Sequence, residues 1–207
     1  TSTLQAQIID FSKAGILASP TIKSPVRETV IQLLQEEVAK RTNIQLPNVN
    51  TPDKQTIIAL ANVNDVALAG MPVPKRAGEN LAETKAEGFR ITLTQQAGKQ
   101  IVWLIGADQR GILFAAGQFL RTAALTKGKI IFDSKNEIAT SPAYPIRGHQ
   151  IGYRNTANSW DSWTPAQFEQ YFRDLAIFGT NAIENIPFQD GPLGPHMKFT
   201  REEMNLR

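Results

Sequence analysis

Residues 140–190 constrain this chain more than any other stretch, because they spell strand, polar loop, capped helix and strand in succession. The first strand is Pro145-Ile-Arg-Gly-His-Gln-Ile-Gly-Tyr153, and the loop runs from Arg154 to Trp163. In Thr164-Pro165-Ala166-Gln167 the threonine takes the N-cap, proline the first helical position, and glutamine completes a capping box. Phe168, Tyr171, Phe172, Leu175 and Phe178 recur at helical spacing as a nearly continuous aromatic stripe, and Gly179 ends the helix. Asn181-Ala-Ile-Glu-Asn-Ile186 follows as the second strand. Two strands joined through one helix predict a parallel pair with a right-handed crossover.

The preceding residues read as a separate α/β domain. Ala14–Ala18 is a short apolar strand. Ser24-Pro25 then predicts a helix with a serine N-cap, and Val26, Val30, Leu33, Leu34 and Val38 share one face. Glu36–Lys40 and Glu37–Arg41 stand four residues apart, and the helix is expected to stop near Asn43. Thr56–Ala61 is a second strand, and the Gly- and Pro-rich segment from Val63 to Gly88 reads as loop. Phe89–Thr94 and Gln100–Ile105 alternate around a glycine turn and predict a hairpin. Gly106-Ala-Asp108 leads into a helix from Gln109 to about Ala124, with Asp108 as N-cap and Ile112, Ala116, Phe119 and Ala123 on one face. Lys129–Phe132 reads as a last short strand. The polar stretch Asp133–Ala143 reads as the domain junction, so the domains are placed at 1–140 and 141–207.

Composition excludes several classes. Hydrophobic residues make up 42% and charged residues 20%, which is globular. No apolar run reaches the roughly 18 residues of a membrane span. Net charge is +3, but basic residues are scattered and no run exceeds two, which argues against nucleic acid as a partner. Cysteine is absent, which removes disulfides, thiolate nucleophiles and cysteine metal sites. His149 and His196 are the only histidines and lie too far apart in sequence to argue for a metal, and no cofactor is expected. The turn Gly106-Ala-Asp-Gln-Arg-Gly111 lacks both the Gly-x-Gly-x-x-Gly spacing and a P-loop lysine, so it reads as a strand-to-helix turn rather than a phosphate cradle.

A Gly-x-Asp-x-x-Gly turn before a helix, a short strand, and then Pro145-Ile-Arg147-Gly148 resembles the small α/β domain and first barrel strand of two glycosidase groups, the α-glucuronidases and the β-N-acetylhexosaminidases. Leu175-Ala-Ile-Phe-Gly179-Thr-Asn181 resembles the end of their first barrel helix, and Trp160-Asp-Ser-Trp163 is similar to a loop of the α-N-acetylglucosaminidases. The resemblance covers residues 50–190. It implies a fold class of α/β (α+β): a small mixed-sheet domain with two helices on one face, followed by the first β/α unit of an incomplete (β/α)8 barrel. Such a barrel takes about 250 residues, and residues 141–207 supply two of its strands. The paired acids of the hexosaminidases would fall beyond Arg207, so the fragment is expected to be inactive by itself.

The candidate substrate-binding residues are Arg147, His149, Trp160, Glu184 and Asn185. The matching arginine of the hexosaminidases binds sugar hydroxyls, and a guanidinium suits that task; the competing reading is a structural arginine. His149 shares the face of Arg147 two residues on, as a hydroxyl donor or a plain core residue. Glu184 and Asn185 lie near the end of the second strand, where barrel sites form, unless that strand is an edge facing solvent. Trp160, Asp161 and Trp163 lie in the loop after the first strand, and the tryptophans offer aromatic faces to a sugar ring or pack the loop on the helix. The resemblance also implies an exported, secreted or periplasmic, polysaccharide-degrading parent enzyme with carbohydrate as partner. The alternative is a non-catalytic α/β binding or scaffolding module. Strands without neighbours would further favour disorder or self-association of the truncated segment.

Overall fold

A computed structural model describes residues 7–78, 81–151 and 163–185, with Asn185 described by its backbone alone. The chain divides into two compact units, residues 1–143 and 144–207. In the first unit the elements are β1 (Ile8–Asp10), β2 (Gly15–Ala18), α1 (Val26–Thr42), β3 (Asn48–Val49), β4 (Thr56–Asn62), β5 (Ala67–Leu68), β6 (Met71–Pro72), β7 (Phe89–Gln96), β8 (Lys99–Gly106), α2 (Gln109–Thr122), β9 (Ala124–Thr126), β10 (Lys129–Asp133) and β11 (Ile138–Thr140). A six-stranded sheet runs in the order β11-β7-β8-β4-β2-β3. Strands β3, β2, β4 and β8 are parallel, and β7 and β11 add antiparallel. Beside it β1, β10 and β9 form a three-stranded antiparallel sheet.

Both faces of the large sheet are covered, which explains why β4 and β8 read as continuous apolar runs. Leu17, Ile57, Ala59, Ile101, Trp103 and Ile105 point to one face and are closed in by Leu68, Met71 and Val73 from the β5–β6 hairpin. Ile16, Ile58, Leu60, Val102 and Leu104 alternate to the other face, where α1 and α2 pack on the strands and on each other. Polar side chains fix the hairpin segment: Arg90 donates to the Pro74 carbonyl, Gln96 Nε2 to the Pro72 carbonyl at 3.0 Å, and Arg76 pairs with the buried Glu83 at 3.2 Å. Burial holds the Arg90 guanidinium below its ordinary pKa, against the opposing pull of Glu83.

Several sequence expectations change in detail. Helix α1 begins with Pro25 in the N-cap position and no side-chain cap, so the expected serine cap is not formed. It does end at Asn43, whose left-handed φ of 62° closes the helix. Glu37, almost fully buried, takes both Lys40 at 2.9 Å and Arg41 at 3.2 Å. The Val63–Gly88 segment carries a short hairpin. The polar junction contains β11, because Ile138–Thr140 pairs with the edge of β7. Helix α2 stops at Thr122, and the residues after it turn into β9.

The turn into α2 is built on close backbone approach. Asp108 Oδ1 accepts the Gly111 N–H at 2.8 Å as N-cap, and its Oδ2 accepts the Glu87 N–H at 2.8 Å. A Cβ on Gly111 would lie 2.3 Å from the Gly88 carbonyl oxygen, and one on Gly106 would lie 2.4 Å from the Ile112 nitrogen. Both glycines are therefore required by space.

The second unit holds β12 (Gly148–Ile151), α3 (Pro165–Ile177) and β13 (Ala182–Asn185). Strands β12 and β13 are parallel and in register, Gly148 opposite Ala182 through Ile151 opposite Asn185. The described residues form one strand–helix–strand unit and no closed barrel. The capping box is formed: Gln167 N–H donates to Thr164 Oγ1 at 3.4 Å and the Gln167 carboxamide oxygen accepts the Thr164 N–H at 2.9 Å. Phe178, expected on the buried stripe, lies one residue beyond the end of the helix and is 71% exposed, whereas Ile177 is buried.

Replacing Gly111 by alanine is expected to cost about 1–3 kcal/mol through overpacking. Asp108→Ala is expected to cost about 1–2 kcal/mol through loss of the cap and an orphaned Glu87 N–H. Urea unfolding monitored by Trp103 burial measures both, and unchanged midpoints would contradict this account of the turn.

Candidate functional site

The second unit places its polar groups in two sets. The first closes the N-terminal ends of the two strands. Arg147 Nε donates to the Gly179 carbonyl at 2.7 Å and Nη1 to the Tyr144 carbonyl at 2.9 Å. Its backbone N–H donates to Asn181 Oδ1 at 2.8 Å, while the Asn181 N–H donates to the Arg147 carbonyl at 3.1 Å and Asn181 Nδ2 to the Pro145 carbonyl at 2.8 Å. One guanidinium and one carboxamide thus satisfy the carbonyls left over where α3 ends and the strands begin. The role of Asn181 was not anticipated from the sequence. Its place two residues after the helix-ending Gly179, immediately before β13, is the signal that points to it.

The second set lies along the strands. Side chains of neighbouring strands in register share a face, so His149 stands with Ile183 and Gln150 with Glu184. His149 turns to α3. Its Nε2 lies 2.6 Å from the Tyr171 hydroxyl, and the two rings meet edge-on with centroids 5.4 Å apart. Trp163 completes this cluster, edge-on to Tyr171 at 5.2 Å and to Phe168 at 5.5 Å. Of the loop tryptophans, Trp163 therefore packs on the helix, while Trp160 and Asp161 lie outside the described residues.

On the opposite face Gln150 Nε2 donates to Glu184 Oε2 at 2.9 Å, with both side chains exposed. Sequence reasoning named Glu184 and missed Gln150. The signal was the period of two: a residue one step on from His149 belongs to the face that the helix leaves open. Asn185 ends β13 opposite Ile151. Among the described residues no group of three or more His, Asp or Glu side chains is arranged to hold a metal ion. No described helix is long and apolar enough to cross a membrane.

No protein-family model matches the sequence, and no curated protein matches it. Solved structures do match in fold. The exo-β-N-acetylglucosaminidase of family GH20 from Vibrio harveyi, crystallised with N-acetylglucosamine, aligns over 88% of this chain at 12% identity with a TM-score of 0.57. The GH20 β-N-acetylhexosaminidase from Streptomyces coelicolor A3(2) aligns over 87% at 13% identity with a TM-score of 0.56. CpGH84B aligns over 100% at 15% identity with a TM-score of 0.58. The chain spans 23%, 31% and 32% of the lengths of these three proteins. At such identity the likeness is one of fold. It lies with the hexosaminidase and GH84 groups and gives the α-glucuronidase resemblance no support.

Removing the Asn181 carboxamide (Asn181→Ala) is expected to speed amide hydrogen exchange in β12 and β13 by roughly tenfold, matching a loss of about 1–1.5 kcal/mol. Tyr171→Phe, which deletes only the bond to His149, is expected to cost about 0.5–1 kcal/mol by the same measurement. Exchange rates unaltered by either change would contradict the roles given to these side chains.

Proposed function

We propose that this chain is the N-terminal portion of a carbohydrate-degrading glycoside hydrolase of the β-N-acetylhexosaminidase kind. In this reading residues 1–140 form an accessory α/β domain and residues 141–207 open a (β/α)8 catalytic barrel. The observation that supports it most is the extent of the likeness: 87–100% of the chain, across both units, follows the fold of GH20 and GH84 proteins. The order of elements in the second unit agrees with it, since a parallel β–α–β unit is the repeat from which such barrels are made.

In barrels of this type substrate groups gather at the C-terminal ends of strands and in the loops that follow. Glu184 and Asn185 occupy that end of β13, and the segment bearing Trp160 joins the same end of β12 to α3. These residues are proposed to meet the sugar, the tryptophan by stacking and the polar groups by hydrogen bonding. Arg147 and His149 are proposed as positioning residues, because the guanidinium donates to the carbonyls of Tyr144 and Gly179 and the imidazole meets the hydroxyl of Tyr171. An exported parent enzyme follows by analogy with polysaccharide-degrading glycosidases alone.

Glycosidases of the common mechanisms need two carboxyl groups about 5–10 Å apart across the scissile bond. Glu184 is the sole carboxylate on the described face of the β12–β13 pair that α3 leaves open. Purified chain assayed on a broad panel of aryl glycosides is therefore expected to show no turnover above the blank. Robust hydrolysis of any member would refute the inactivity. A reading frame that continues past Arg207 for several hundred residues, with paired strand-end carboxylates, is the outcome the whole proposal expects. A stop codon at that point would favour the non-catalytic binding module.

A further inference from the structure

The Gln150–Glu184 pair is a polar feature of the β12–β13 strands that the frame does not use. Arg147, Asn181, His149 and Tyr171 are engaged in holding strand ends and helix, whereas among the described residues Gln150 and Glu184 bond to each other across the open face. Their single bond, 2.9 Å from Nε2 to Oε2, leaves over the second amide N–H, the amide oxygen and the other carboxylate oxygen. That is one donor and two acceptors, side by side on two strands in register. Adjacent hydroxyls of a pyranose, each able to donate and accept, are complementary to this set.

Charge narrows the ligand. The described positions of that face are Gly148, Gln150, Ala182 and Glu184, so its formal charge is that of one carboxylate. An anionic substituent placed here meets like charge, and none of these four positions supplies a cation. Resting on the carbohydrate reading above, we infer that Gln150 and Glu184 form a subsite for a neutral vicinal diol of a pyranose, and that Glu184 disfavours uronic acids at this position.

Side-chain amide and backbone NMR of the full 207-residue chain, titrated with methyl glucoside, N-acetylglucosamine and glucuronate, tests this. The neutral sugars are expected to shift the Gln150 side-chain amide saturably, with glucuronate at least fivefold weaker. Gln150→Ala is expected to weaken the neutral sugars about five- to tenfold, and the near-isosteric Glu184→Gln to bring glucuronate within twofold of them. Glucuronate binding as tightly as the neutral sugars to the unaltered chain would overturn the inference. So would sugar binding that perturbs other resonances and leaves the pair silent, an outcome that keeps the carbohydrate reading. Saturable binding by none of the sugars would remove both. The comparison on unaltered protein decides the matter even where a variant fails to fold.

Discussion

The first unit depends on one carboxylate. Asp108 accepts hydrogen bonds from two backbone N–H groups that belong to different elements, Gly111 in the first turn of α2 and Glu87 just before β7. The Ala107 N–H donates to the Gly88 carbonyl at 2.9 Å in the same knot. This fixes the end of β8, the start of β7 and the start of α2 at one point. Since β8 is the strand that joins the parallel half of the sheet to its antiparallel half, the knot sets the register of both. Glycine at positions 106 and 111 is the geometric condition for it, because any Cβ there would collide with backbone. A charge-assisted cap is among the stronger local bonds, and here it works in two directions at once.

The second unit solves the same problem with the opposite sign. Where α3 ends and two strands begin, the groups in need of partners are carbonyls, and the residues supplied are donors, a guanidinium and a carboxamide. The aromatic cluster of Trp163, Phe168, Tyr171 and His149 then seats the helix on one face of the strand pair. The alternation of side chains along β12 thereby separates two faces: odd positions turn to the helix, and even positions turn to the side that the helix leaves open.

Elements with strong local signals were legible in the sequence. The β7–β8 hairpin, α2 with its aspartate cap, and α3 with its capping box are each specified by residues within a few positions of one another. What escaped depends on partners far along the chain. Strand β1 exists because Ile8–Asp10 finds β10, and β11 because Ile138–Thr140 finds β7, more than forty residues away in the pairing of Ile138 with Ile91. Neither segment has enough length or alternation to declare itself. The same limit applied to the site. Glu184 stood out as a charge in an apolar strand, but its partner Gln150 became visible only once the register of two strands was known. His149 and Arg147 carried functional-looking chemistry, and only their hydrogen-bond partners show what they hold in place.

These observations bear on how a fold survives at 12–15% identity. The contacts that define both units are made to backbone groups: a carboxylate to N–H, a guanidinium to carbonyls, glycine against a peptide. Each asks for one residue type at one place and leaves the surrounding side chains free, provided that apolar alternation is kept. A fold held by such contacts tolerates wide change in its remaining side chains. It carries no information about the sugar, because the face that would read the sugar is occupied by residues the frame does not need. Gln150 and Glu184 are of that kind, and the chemistry specific to this chain is therefore to be sought there and not in the motifs that make the fold recognisable.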